Sequence, residues 1–231
     1  MPRRARLAIA GIPWHIIQRG NNRSACFYAA GDYLKYVDTL HELSRRYGCE
    51  IHAYVLMTNH VHLLLTPQKI TSAALLMKHL GQRYVQYINR SYRRSGTLWE
   101  GRFRSCLTQN ADYVLSCYRY IELNPVRAAM VEQPEEYRWS SYRANGEGAT
   151  DRLITPHAEY LRLGQTGEER RSVYRALFKA HLDTQCINQI RQATNGNYAL
   201  GNERFKAEIE QALKRRATPR KGGRPARNEK P

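Results

Sequence analysis

Residues 50–67 constrain the fold more than any other stretch of the chain. EIHAYVLM (50–57) and HVHLLLTP (60–67) are strand-forming runs, and only Thr58-Asn59 separates them. Two such runs joined by two residues have room for a tight turn and little else, so they form a hairpin of adjacent strands. Side chains alternate along a strand. His60 and His62 therefore leave one face, and Val61, Leu63 and Leu65 leave the other, which is apolar.

The flanking segments supply the rest of a sheet. WHIIQRG (14–20) reads as a strand and NNRSACFYAAGD as a loop. Residues 32–47 carry Tyr33, Tyr36, Val37, Leu40 and Leu43 at helical spacing, and Gly48 stops that helix. Residues 72–92 form a long amphipathic helix, 103–109 a fourth strand and 111–124 a third helix that Pro125 ends. A residue before proline is pushed away from the helical region, which puts Asn124 at the helix end. The order β-α-β-β-α-β is that of an α+β, ferredoxin-like antiparallel sheet with helices on one face, to which the third helix is added. Residues 1–145 make this domain. Residues 146–213 follow as a helical extension, with helical patterns around 156–163, 168–182, 184–194 and 202–214 and a turn at 195–203. Two of these helices joined by that turn fit a DNA-binding helix-turn-helix as well as they fit plain packing.

Charge selects the partner class. There are 37 Lys+Arg against 20 Asp+Glu, a formal +17, and an excess of this size attracts polyanions through counterion release. The tail, 214–231, adds eight basic residues against Glu229 among dense Pro and Gly, so it is expected to be disordered. Arg224, in GGRP, resembles a minor-groove hook. Five cysteines with no C-x-x-C spacing argue against both a disulfide framework and a cysteine zinc knuckle. No apolar run reaches about 18 residues, and the N-terminal apolar stretch is too short for a secretory signal, so a cytoplasmic protein is expected.

Two patterns carry chemistry. Two imidazoles side by side on one strand face can bind a divalent metal ion; His-x-His alone also describes polar residues on a wet face. In YRYIELNPVRA (118–128), Tyr120 and Asn124 share one face of a helix. A tyrosine hydroxyl ordinarily ionises near pH ~10, so as a nucleophile it needs a nearby cation. The Asn124 amide oxygen is a hard ligand suited to Mg²⁺ or Mn²⁺. On spacing alone the same pair equally describes a surface tyrosine and a capping asparagine.

Together the motifs resemble the single-tyrosine HUH transposases, named for two histidines around a hydrophobic residue, and among them the REP-associated tyrosine transposases. The resemblance covers roughly residues 10–145. It runs through WHIIQRGNNR, GCEIHAYVLMTNHVHLLL, LWEGRFRS, YIELNPVRA and YRWSSYRA. It implies that His60, His62 and Asn124 hold Mg²⁺ or Mn²⁺ and that Tyr120 is the nucleophile. Single-stranded DNA would be cut near a hairpin through a 5′-phosphotyrosine, leaving a free 3′-OH that can rejoin strands. It also implies a monomer acting in cis, although many relatives are dimers that exchange the nucleophile helix. Arg19, Arg23, Arg102, Arg104, Arg127 and Arg224 are candidate DNA contacts. Trp99, Trp139 and Tyr118 read as packed, and neither His52 nor His79 is assigned to the metal.

Three rival readings remain in view. An RNA-recognition domain shares the sheet but needs an aromatic pattern absent here. A metal nuclease that activates water needs more carboxylates than Glu100 and Glu122. A regulator derived from a transposase would bind hairpin DNA without cutting it.

Overall fold

The computed structural model describes residues 4–109, 112–180 and 182–219, with the backbone alone for Asp112. The first strand, β1 (Trp14–Arg19), leads through a short 3₁₀ turn at Asn21–Arg23 to α1 (Ala30–Tyr47). The expected hairpin follows. In it β2 (Cys49–Met57) pairs antiparallel with β3 (His60–Pro67), and Met57 lies opposite His60 across the Thr58-Asn59 turn. Gly48 ends α1 with φ +62, and its N–H returns to the Ser44 and Arg45 carbonyls. A Cβ there would meet the mobile end of the Gln68 side chain at 2.5 Å, which can swing away, so it is the left-handed conformation that favours glycine.

Next come α2 (Ser72–Ser91) and β4 (Arg104–Thr108). β1 pairs antiparallel with both β3 and β4, which gives the sheet order β2-β3-β1-β4 expected of the split-βαβ pattern. One face of the sheet packs on α1 and α2. Leu76, Leu80, Tyr84 and Ile88 recur at helical spacing and meet Ile16, Leu63 and Leu65 beneath them. Each such side chain contributes about 1.5–3 kcal/mol when fully buried. Asp32 joins the two helices: its carboxylate accepts from the Tyr28 and Ala29 N–H groups and from the Tyr87 and Tyr92 hydroxyls.

The sheet is covered on both faces, where the sequence suggested one. The face that carries the histidines is apolar over most of its area, through Ala53, Val55, Leu64 and Cys106, and so needs its own cover. That cover is α3 (Asp112–Glu122), which buries Val114, Cys117, Tyr118 and Ile121, followed in the chain by the one-turn α4 (Asn124–Arg127). Pro125 does not end the helix as expected. The break falls at Leu123, and Pro125 occupies the first turn of α4, where its missing N–H is not needed.

The later chain adds α5 (Tyr142–Glu147), α6 (Ala158–Leu161), α7 (Gly167–Lys179), α8 (Thr184–Gly196), β5 (Ala199–Leu200) and α9 (Glu203–Leu213). The segment read as a turn, 195–203, contains β5, which pairs parallel to β4 and becomes the fifth strand. A two-residue strand has no periodicity to betray it. Residues 214–219 are tied to the body: Ala217 is fully buried and its carbonyl accepts the Ala199 N–H. Arg224 and the rest of 220–231 lie outside the described residues. All five cysteines are free thiols, four of them buried. Among the described residues, no helix is long and apolar enough to cross a membrane.

Candidate active site

His60 and His62 leave β3 on the α3 side and line a cleft of about 610 Å³. Strand alternation puts them there, with Val61 and Leu63 anchored on the opposite face. Tyr120, on α3, lines the same cleft and is 6 % exposed. Its ring centre lies 5.6 Å from that of His62, edge to face. Tyr120 lies on α3 and Asn124 opens α4 beyond the break at Leu123, so they do not share one continuous helix as their spacing predicted, yet both reach the cleft. One chain thus brings the histidine pair, the tyrosine and the asparagine together.

Burial sets the charge state of the histidines. It lowers the pKa of His60 to about 4, helped by the positive charge of Arg19 and opposed by contact with the Asn124 amide. It holds His62 well below the usual imidazole range, with smaller contributions from His15, His60, Arg127 and Arg19. Both rings are therefore neutral near pH ~7 and have lone pairs to offer. His60 Nδ1 is 2.6 Å from Asn59 Oδ1, and Asn59 Nδ2 donates to the Arg23 carbonyl, which settles which end of that amide is oxygen. His60 Nδ1 therefore carries the hydrogen and Nε2 is bare.

The donor set fits a divalent cation. The Asn124 amide lies against His60, and its Nδ2 is buried with no hydrogen-bond partner among the described residues. An unsatisfied amide beside a ring with a bare nitrogen, in one cleft, offers oxygen and nitrogen donors of the kind a divalent cation takes. Among the described residues, no group of three or more His, Cys, Asp or Glu could hold a metal.

The arginines fall in three places. Arg19 and Arg23 line the cleft itself, and Arg23 is held there with φ +58 in the left-handed region. Arg102 and Arg104 line an adjoining recess that shares Ile17, Arg19 and Asn195 with the cleft. Arg127 lies behind the tyrosine: its guanidinium is 4.4 Å from the Tyr120 ring centre and donates to the Tyr120 carbonyl at 2.7 Å. Arg127 Nη1 is buried and without a partner among the described residues.

The residues read as structural are packed. Trp99 is 5 % exposed, Trp139 stacks on Tyr33, and Tyr118 is fully buried. His52 lies between the Thr66 hydroxyl and the Thr155 carbonyl. His79 stacks on Tyr47, away from the cleft. The two carboxylates of the water-activating alternative are engaged elsewhere. Glu122 accepts from Ser141 and Tyr174 at 2.6 Å and from Asn145 at 2.8 Å, and Glu100 lies 3.8 Å from Arg104.

Sequence reasoning missed His15 and Asn59, and with them Arg191, Thr194 and Asn195 of α8, all of which line the cleft. Asn59 was within reach, as the residue before His60 in the hairpin turn. His15 required the register of β1 against β3. The α8 residues carry no local signal, because only the packing of α8 against β4 brings them to the site.

Fold and cleft together define a class: a ferredoxin-like α+β protein in which a strand-borne histidine pair faces a tyrosine from the helix laid over the sheet. Residues 8–124 match the family model described as "Transposase IS200 like". The chain belongs to the IS200-like transposase family, and with it to proteins of transposase-type DNA function. A REP-associated tyrosine transposase, solved bound to a REP hairpin, shares the fold at TM-score 0.56 and 19 % identity over 68 % of this chain and 93 % of that one. A candidate transposase from Deinococcus radiodurans R1 is 20 % identical over 59 % of this chain and 98 % of that one, at a TM-score of 0.35 too low to carry an argument. No curated protein sequence matches the chain.

Proposed function

We propose that the chain is a metal-dependent single-strand DNA endonuclease and transesterase that cuts and rejoins DNA near REP-like hairpins, with Tyr120 as nucleophile. The observation that carries this reading is the meeting of Tyr120 with His60, His62 and Asn124 in one cleft of one chain. It also supports action in cis. The Tyr120 oxygen attacks the scissile phosphorus, the bond from phosphorus to the 3′ oxygen breaks, and a 5′-phosphotyrosine forms. The phenolic proton is lost, the departing 3′ oxygen takes one up, and the free 3′-OH can later reverse the reaction. The phosphotyrosine keeps the energy of the broken diester, so rejoining needs no nucleotide triphosphate.

Arg127 holds the Tyr120 ring from behind, 4.4 Å from guanidinium to ring centre, and its unpartnered Nη1 is suited to a phosphate oxygen. Arg19 and Arg23 would hold phosphates in the cleft, and Arg102 and Arg104 would hold the neighbouring strand. His60, His62 and Asn124 would hold Mg²⁺ or Mn²⁺, which when bound polarises the phosphate and offsets its growing charge. The hairpin preference is carried over from the neighbour of like fold. The test is covalent trapping of labelled single-stranded DNA bearing a hairpin, with Mn²⁺ or Mg²⁺, on denaturing gels. An adduct is expected with the wild type and not with Tyr120→Phe or His60→Ala. Hairpin binding with no adduct under either metal would leave a non-cutting DNA-binding protein.

A further inference from the structure

His15 is the least conspicuous member of the cleft and the one whose hydrogen bonds run furthest. It is 1 % exposed on β1, and its ring stacks on His62 at 5.0 Å between centres. His15 Nε2 is 2.8 Å from His62 Nδ1, and His15 Nδ1 is 2.9 Å from the Thr194 hydroxyl on α8. That hydroxyl in turn lies 2.8 Å from the Ile190 carbonyl, one turn back along α8.

The hydrogens along this chain can be assigned from one end. A carbonyl only accepts, so the single hydrogen of the Thr194 hydroxyl goes to Ile190. The hydroxyl must then accept from His15, and His15 Nδ1 carries the ring's hydrogen. The ring is buried and its two nitrogens meet a hydroxyl and an imidazole, neither of them an anion that would hold a second proton, so the ring carries one hydrogen and its Nε2 is bare. A bare Nε2 accepts from His62 Nδ1, which leaves His62 Nε2 without a hydrogen. Cys106 Sγ, 3.3 Å from the Thr194 oxygen, can donate to it without disturbing this order.

We infer that Thr194 and His15 are positioning residues that lock His62 in the tautomer with a bare Nε2, so that α8, outside the matched family region, completes the cation site. Asn59 does the same for His60 from the next position in the chain. The two histidines are thus set by different means, one by its neighbour in the chain and one, through His15, by a hydroxyl on α8 that only tertiary packing brings near. Arg191 and Asn195, on the same helix, line the cleft beside them. The inference rests on the reading of His60 and His62 as cation ligands, and its test separates the two.

The tautomer is read in metal-free, full-length protein without DNA, by long-range proton–nitrogen NMR of ¹⁵N-histidine-labelled samples. His62 should show a protonated Nδ1 and a bare Nε2 in the wild type. Thr194→Val should let the Nε2–H form of His62 appear and weaken Mn²⁺ binding, followed by electron paramagnetic resonance, about 10- to 100-fold. Thr194→Ser should restore both. A wild-type His62 protonated at Nε2 overturns the inference whether or not Thr194→Val folds, and so does a folded Thr194→Val with unchanged tautomer and affinity. A wild type with the expected tautomer that binds no Mn²⁺ overturns the cation reading and leaves the hydrogen-bonded relay standing.

Discussion

On the side of α1 and α2, the strands present Ile16, Leu56, Val61, Leu63 and Leu65 to a layer of aliphatic and aromatic side chains. On the side of α3 and α8, the same strands present His15 and His62, and the covering helices add the buried polar groups Glu122 and Thr194. The first face gains most of its free energy from water exclusion, and its aliphatic partners are interchangeable within the limits of volume. The second face carries groups that burial penalises, so each needs a specific partner at a specific atom. The contrast explains how one sheet serves both purposes: cohesion on the dry face lets the other hold neutral imidazoles and a buried carboxylate.

Neighbouring residues on β3 offer the sharpest way to break this comparison. His62→Ala should lower DNA cleavage by at least about a hundredfold, the scale on which loss of a group holding a metal is felt. Leu63→Ala, one position away and facing α1 and α2, should instead cost about 2–5 kcal/mol of stability while the folded protein keeps its cleavage rate. Single-turnover cleavage and urea denaturation of both variants decide it, and equal losses in both measurements would mean the faces are not separable.

Glu122 tests the polar face by pH. Burial raises its pKa to about 7, against the hydrogen bonds from Ser141, Tyr174 and Asn145 that favour the carboxylate. An acid whose folded pKa lies above its unfolded value stabilises the fold in its protonated form. That stability is complete below pH ~4.5 and is lost as pH rises through about 7. The loss is on the order of 3 kcal/mol. Glu122→Gln keeps the hydrogen-bonding shape without the titration. The stability difference between variant and wild type should therefore shift toward the variant between pH ~5 and ~8. A shift toward the wild type would show that the carboxylate is the preferred buried form.

The smallest effect is expected at the rim of the polar face, in the recess beside the cleft. Arg102→Ala and Arg104→Ala should each weaken single-stranded DNA binding a few-fold and reduce its salt dependence by about 0.7 in the log–log slope. Fluorescence anisotropy at several salt concentrations checks this. Unchanged slopes would place the strand elsewhere than the recess beside the cleft.

Much of this molecule was legible in the chain because its signals are local. The two-residue turn forced the hairpin, alternation placed His60 and His62 on one face with Val61, Leu63 and Leu65 on the other, and the short spacing of Tyr120 and Asn124 brought both to one cleft across the helix break. Other features were not legible, for identifiable reasons. The helix break fell at Leu123 because proline is tolerated in a first helical turn. β5 was hidden because two residues carry no period. The second cover of the sheet was not legible because its apolar partners Ala53, Val55, Leu64 and Cys106 come from three strands and make one face only once those strands are paired.

The sequence by itself determined which residue types the site contains and which strand face and helix face bear them, since periodicity is a property of neighbours along the chain. Only the tertiary structure decided that those two faces meet, that Arg127 lies over Tyr120, and that a hydroxyl on α8 reaches His62 through His15. Hydrogen-bond direction and burial depend on atoms far apart in the chain, and no local pattern records them.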